Sequence, residues 1–292
     1  MLDPSPLDIS LYAPGVMQGF ADLGYAAGAR ATFEHRFSEG NGELMRKQAQ
    51  DLVALNCDLL VAVRTLAPVR ALQALRPAAP ILFLAIDYDP LSQGIVNNLR
   101  RPDRNTTGVY VGQNGLVGRR VELMRELLPQ ANRLIVFADP FSADQVEAAR
   151  KAAAGANLQL ILVQFQATPY NYASYLQDAR ALGDMFMSLA SPIFARDRER
   201  IREVVARARL PSIGTNPLQA EAGFLMSLGS NIPKVTRRAA DMGVRLLSGA
   251  KAADMPVQQA EEFELVINAG TARALGVKIP SSLLARATRV IP

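Results

Sequence analysis

From Pro80 to Ile86 the chain reads Pro-Ile-Leu-Phe-Leu-Ala-Ile, a stretch without a charge. It is too short for a stable helix and apolar throughout, the pattern of a strand buried on both faces of a parallel sheet. It ends abruptly in Asp87-Tyr88-Asp89-Pro90. Pro90 cannot donate to a ladder and biases Asp89 toward an extended conformation. Polar side chains just past the carboxyl end of a parallel strand stand where open α/β sheets bind ligands. The polar, turn-rich segment Gln93–Gly108 reads as a passage from one sheet into another. The stretch thus predicts a ligand-facing strand end and the first crossover of a two-lobed binding protein.

The surrounding sequence alternates short apolar runs with amphipathic helices. Strands are predicted at Asp8–Tyr12, Arg30–Phe37, Asp58–Val63 and Pro80–Ile86, with helices at Val16–Ala27, Gly42–Asn56 and Leu66–Arg76 between them. After Gly108 the pattern restarts. Helices at Asn114–Leu128, Ala143–Ala154, Tyr172–Leu182 and Arg196–Ala208 alternate with strands at Arg133–Ala138, Leu158–Phe165, Met185–Ala190 and Pro211–Gly214. Such alternation is the signature of parallel α/β sheets, and two arrays of similar size predict two Rossmann-like lobes. The tail adds a strand at Gly223–Leu228, a helix at Val235–Leu247, a strand at Phe263–Asn268 and a short helix at Thr271–Leu275 capped by Gly276.

Several function classes are excluded or disfavoured. No apolar run reaches the roughly 18 residues that a membrane-spanning helix needs. The formal charge is +5, but the basic residues are dispersed along helices such as Arg196–Arg209, interleaved with Asp197, Glu199 and Glu203. That is a solvated helix face with i,i+4 pairs, not a nucleic-acid surface, and there is no Trp to stack on bases. Cys57 is the single cysteine, so no disulfide within the chain is available, and a catalytic role for it would need His35, the single histidine, as its partner; a small buried thiol at a strand start is the default. No metal and no cofactor are expected. Phosphate-binding glycine loops and a nucleophile elbow are absent, which argues against an enzyme. The first residues, Met1-Leu-Asp-Pro, show neither a basic n-region nor an apolar h-region, which read alone predicts a cytoplasmic protein.

The candidate ligand contacts stand at predicted strand ends. Thr65 can cap the helix that follows it while Arg64 clamps a carboxylate there, or the two can be a plain N-cap with Arg64 in solvent. Asp87 can hold an amine, and Tyr88 can stack or hydrogen-bond, whereas Asp89 before Pro90 fits a turn. Phe37 and Ser38 can line a cleft, though Phe37 also suits a core. In the second array Asp139, followed by Pro140 and Ser142, fits either a ligand contact or a helix cap. Ser191 and Asn216 end later strands and are further candidates.

A run of motifs then resembles a known family. These are Asp89-Pro90-Leu-Ser-Gln-Gly94, Arg101-Pro102 through Asn105-Thr-Thr-Gly108, Glu221-Ala-Gly223-Phe-Leu-Met-Ser227, Pro256-Val257 and Phe263-Glu-Leu-Val-Ile-Asn268. Thr271-Ala-Arg-Ala-Leu-Gly276-Val-Lys-Ile-Pro280-Ser-Ser-Leu-Leu284 and Gly19-Phe-Ala-Asp-Leu-Gly24-Tyr25 complete them, so the resemblance spans nearly the whole chain in order. The chain is similar to the tryptophan/tyrosine-type substrate-binding proteins of ABC transporters, with the type I periplasmic-binding-protein fold. It departs from that pattern at the short first connection, Ala13-Pro14-Gly15, and at Leu228, where a Tyr commonly follows Met-Ser. The resemblance implies two lobes joined by a three-segment hinge, residues 1–108 plus 224–255 and residues 109–223 plus 256–292. It further implies a monomeric, extracytoplasmic protein that closes on an amino-acid-like or carboxylated solute in a cleft between the lobes. That protein would deliver the solute to the transmembrane subunits of an ABC permease. A cytoplasmic ligand-sensing regulatory domain of the same fold is the alternative.

Overall fold

The computed structural model describes residues 1–6, 10–102, 104–176 and 183–292. Two compact units form, Met1–Gly112 with Asn231–Glu262 and Gln113–Ser230 with Phe263–Pro292. The chain therefore passes between the units three times, after Gly112, Ser230 and Glu262.

The first unit is built on a sheet of strands β1 (Leu2–Asp3), β2 (Arg36–Phe37), β3 (Leu60–Arg64), β4 (Ile81–Ala85), β5 (Thr106–Tyr110) and β11 (Gln258–Gln259). Its order is β11-β5-β4-β3-β1-β2, and every pairing is parallel. Every residue of β3 and β4 is buried, as the uncharged run of β4 and the apolar Leu60–Val63 of β3 require of strands covered on both faces. Ile81, Phe83 and Ala85 face one core, which Met45, Ala49 and Leu52 of the helix Gly42–Ala54 and Val69 and Leu72 of the helix Leu66–Ala74 complete. Elsewhere in this unit the helix Ala13–Asp22 packs on the helix Ile232–Leu247. The two approach so closely that a Cβ on Gly19 would lie 2.7 Å from Ala240 Cβ, and one on Gly243 2.3 Å from the Phe20 ring.

The second unit's sheet comprises β6 (Arg133–Ala138), β7 (Gln159–Gln164), β8 (Met185–Ser188), β9 (Ser212–Gly214), β10 (Met226–Ser230), β12 (Phe263–Asn268) and β13 (Arg289–Ile291). The order is β13-β12-β10-β9-β8-β6-β7, parallel throughout except for β10 against β12. That antiparallel ladder ends at Ser230 opposite Phe263, and one residue on, Asn231 N–H donates to the Glu262 carbonyl at 3.0 Å. The second and third passages thus form a ribbon.

The α/β class and the two parallel sheets agree with the alternation in the sequence. Three local expectations do not. The first strand is Leu2–Asp3 in place of Asp8–Tyr12: Ser10–Tyr12 form no strand, and residues 7–9 lie outside the described residues. The second strand contracts to Arg36–Phe37. Met226–Ser230 belongs to the second sheet, where it pairs with β9 and β12, whereas the sequence put residues 224–255 in the first lobe. Gln258–Gln259 conversely extends the first sheet beside β5. Of the predicted helix Tyr172–Leu182, the described part is Ala173–Leu176, and residues 177–182 lie outside the described residues.

The start of β6 is pinned by Asp184, whose Oδ2 accepts from the backbone N–H groups of Asn132 at 2.9 Å and Arg133 at 3.0 Å. Desolvation opposes its charge, but these bonds and the Arg133 guanidinium outweigh that and hold its carboxyl below the usual range. A carboxylate with a depressed folded pKa stabilises above its unfolded pKa and loses that contribution as pH falls through the folded value. Asp184→Asn keeps the acceptor and removes the charge. It is expected to cost about 1 kcal/mol at pH 7, discounted for a side chain 34% exposed. The gap from wild type should narrow as urea titrations are taken from pH 6 toward pH 3. A gap that does not change with pH would show that the charge contributes nothing.

Candidate functional site

In the first unit the predicted contacts stand at the carboxyl ends of β2, β3 and β4. Register aligns Arg64 of β3 with Ala85 of β4, two residues before Asp87. The Arg64 Nε–H accordingly donates to Asp87 Oδ2 at 2.8 Å, and both side chains are buried. Burial alone pulls a guanidinium pKa down and pushes a carboxyl pKa up. At Arg64 burial is the largest single effect, but the Asp87 charge and hydrogen bond together with Tyr12 and Asp3 outweigh it and hold the guanidinium above its ordinary value. At Asp87 burial outweighs the pull of Arg64, so its carboxyl sits above the usual carboxylate range. The 2.8 Å contact is that of an ion pair, and we read it as one. Arg64 also lies over the Tyr12 ring, 5.9 Å from its centroid.

The backbone here is unusual. Arg64 has φ +73°, and Thr65 N–H donates across it to the Val63 carbonyl at 3.0 Å, a γ-turn in the strained left-handed region. The turn aims the Arg64 carbonyl at the next strand end, where it accepts from the N–H groups of Ile86 at 3.0 Å and Asp87 at 3.4 Å. Thr65 is the N-cap residue of the helix Leu66–Ala74 but makes no side-chain cap bond. Asp89 forms the turn expected of it, its Oδ1 accepting from Leu91 and Ser92 N–H at 2.9 Å each. Tyr88 turns inward to the core cluster of Leu52, Phe83 and Val96, with its hydroxyl unpartnered. Ser38 is buried with an unpartnered Oγ, while Phe37 is 37% exposed and stacks on His35.

In the second unit Asp139 and Ser191 come together. Asp139 ends β6 and caps the following turn, its Oδ1 accepting from Phe141 and Ser142 N–H at 3.1 Å each. Its Oδ2 accepts from the hydroxyls of Ser191 and of Tyr170, the latter at 3.3 Å. Ser191 in turn caps the helix Pro192–Arg196 through Ile193 N–H at 3.1 Å. Asp139 thus performs the helix-cap role that its sequence context suggests. Asn216 is separate from this pair. Its Nδ2 donates to Gln219 Oε1 at 3.4 Å, and its buried Oδ1 has no partner.

Several participants were not legible. Tyr170 and Tyr172 join Phe137, Phe165 and Phe194 in an aromatic cluster, and the Tyr172 hydroxyl donates to Asp197 at 2.9 Å. Tyrosines in Pro169-Tyr-Asn-Tyr were a faint signal, since a polar loop seldom carries two rings. Gln219 binds Thr215 N–H at 2.6 Å and the Ser188 hydroxyl at 3.2 Å, which no local pattern announces. A groove of ≈ 580 Å³ on the first unit, lined by Lys234, Arg237, Arg238, Arg245 and Glu262, lies along the helix Ile232–Leu247 and away from the strand ends.

Among the described residues no group of three His, Cys, Asp or Glu side chains is placed to hold a metal ion, and no helix is long and apolar enough to cross a membrane. The strand ends carry buried polar atoms in fixed positions, which suits recognition of a small molecule.

Comparison with known proteins agrees with this chemistry. The family model "ABC transporter substrate binding protein" matches residues 8–291. The tyrosine-binding protein of Clostridioides difficile (strain R20291) is 22% identical over 269 residues, which cover 90% of this chain and 76% of the relative. A conserved domain protein of Vibrio cholerae has a crystal structure that superposes with a TM-score of 0.90 at 27% identity, covering 99% of this chain and 97% of that one. The ABC domain of Streptococcus pneumonia in complex with L-Trp superposes with a TM-score of 0.88 at 26% identity, covering 99% of each chain. Two parallel-sheet units linked by three passages resemble the type I periplasmic binding proteins. The chain belongs to the ABC transporter substrate-binding protein family, whose members capture a substrate without transforming it.

Proposed function

We propose that this protein captures an amino acid, or a closely related carboxylated molecule, and delivers it to the transmembrane subunits of an ABC importer outside the cytoplasm. On this reading the ligand is trapped by hinge closure about the three passages. One observation carries this reading: buried polar atoms without a partner among the described residues recur at the strand ends, Ser38 Oγ in the first unit and Asn216 Oδ1 in the second. Buried polar groups are otherwise satisfied in folded proteins, so such a recurrence at ligand-facing positions favours a polar small molecule. The tyrosine-binding relative and the L-Trp complex support an amino acid in particular.

A thermal-shift screen of the standard amino acids and simple carboxylates tests this. A ligand present at a hundred times its dissociation constant adds roughly 2.7 kcal/mol of apparent stability, a rise of several degrees in Tm. L-tyrosine or L-tryptophan is expected to produce it. A flat response to every compound would overturn the proposal.

A further inference from the structure

Arg120 is completely buried in the helix Gln113–Leu127, with 0% of its surface exposed. Its Nε–H donates to the Leu228 carbonyl at 2.9 Å and an Nη2–H to Gln113 Oε1 at 3.0 Å. Both acceptors are neutral. Nη1 has no partner, and no carboxylate of the described residues pairs with this guanidinium. Burial pulls its pKa down to about 9, so it is still a cation at neutral pH. The contrast with Arg64 is direct: that buried arginine has its counter-charge in Asp87, and this one has none among the described residues. A buried cation without a counter-ion is strongly destabilising, a cost that a protein sustains when something else supplies the negative charge.

Its place in the second unit is informative. Gln113 is the first residue after the chain enters the unit, and Leu228 lies two residues before it leaves at Ser230. The next residue, Gly229, lies against the backbone of Thr215 and Asn216: a Cβ there would come within 2.2 Å of the Thr215 carbonyl and 3.0 Å of Asn216 Cα. Asn216, with its own unpartnered Oδ1, therefore lies beside the strand whose carbonyl holds Arg120, and Ser227, with an unpartnered Oγ, belongs to that strand.

We propose that Arg120 is the carboxylate-binding residue of the ligand site, its Nη1–H donating to the α-carboxylate of the bound amino acid. This rests on the amino-acid reading above and assigns the ligand's charge to a residue outside the strand ends. The α-carboxylate completes the guanidinium's hydrogen bonds and supplies the missing counter-charge.

The test compares ligands with and without a carboxylate. Calorimetric titration of wild type with L-tyrosine and tyramine, and with L-tryptophan and tryptamine, is expected to favour the amino acid by at least about 100-fold. In Arg120→Met that preference should fall to within about threefold, with Arg120→Lys between the two because it keeps the charge and loses the planar fork. Met fills the volume and removes an uncompensated charge, so its melting temperature should not drop. A purely structural Arg120 would weaken both members of each pair in parallel and leave their ratio intact, which would overturn the assignment. Wild type that binds amine and amino acid equally well would also overturn it. Wild type that binds no amino acid would sink the functional reading along with it, which separates the two failures.

Discussion

Replacing Asp87 with alanine is expected to destabilise the protein by about 3–5 kcal/mol, because it strands the buried Arg64 guanidinium without its counter-charge. The sequence cast Asp87 and Arg64 as two separate ligand contacts, whose removal would leave the fold intact. The 2.8 Å bond between them changes that expectation. The double variant Arg64→Met, Asp87→Leu removes both charges and puts apolar volume in their place, and buried pairs exchanged in this way are often neutral or even stabilised. Urea denaturation should therefore rank the double variant well above Asp87→Ala. If the single variant proves as stable as the double, the pair is not an energetic unit. Ligand titrations on the double variant would then report binding without the confusion of a failing fold.

Gly108→Ala is expected to be at least as damaging, at about 3 kcal/mol or more, a fall in Tm of roughly 6–12 °C. Gly108 of β5 sits opposite Phe83 of β4, and an added Cβ would lie 2.0 Å from the Phe83 carbonyl oxygen and 2.6 Å from its ring. The obstacle is backbone and a fully buried ring in the middle of a sheet, neither of which can swing aside. Gly118→Ala is the matched control. That glycine lies within the helix Gln113–Leu127 with nothing within 4 Å of the added carbon, so the change should gain up to about 1 kcal/mol from helix propensity. Thermal melts that rank the two variants alike would contradict the close β4–β5 contact.

What could be read from the sequence follows from how local each feature is. Pro80–Ile86 was legible as a buried strand because burial on both faces removes every charge from the run, and Ile81–Ala85 is that strand. Leu2–Asp3 was not, because two residues carry no period. The sheet that receives Met226–Ser230 depends on pairing with Phe263–Asn268, a segment remote in sequence, so its apolar pattern alone did not place it. At the site, the strand-end positions were legible, but the joining of Arg64 to Asp87 required the β3–β4 register. Asp139 showed its capping role in part, since Asp-Pro followed by Ser is cap chemistry. Arg120 left no trace: beside Arg119, Glu122 and Arg125 it reads as one more charge on a solvated helix face, and only packing reveals it as the buried one.

The close packing of Ala13–Asp22 on Ile232–Leu247 also governs how the chain comes off the ribosome. The first helix emerges early, yet the helix that covers Val16, Gly19 and Phe20 is completed only at Leu247. At 5–20 residues per second, that helix is finished roughly ten to forty seconds later. During this interval the nascent segment carries an uncovered apolar stripe beside a sheet that still lacks its β11 edge. The first unit is therefore first in synthesis and late in folding, a long-lived client for whatever holds unfolded chains. A fragment ending at Gly112 would keep that stripe permanently exposed.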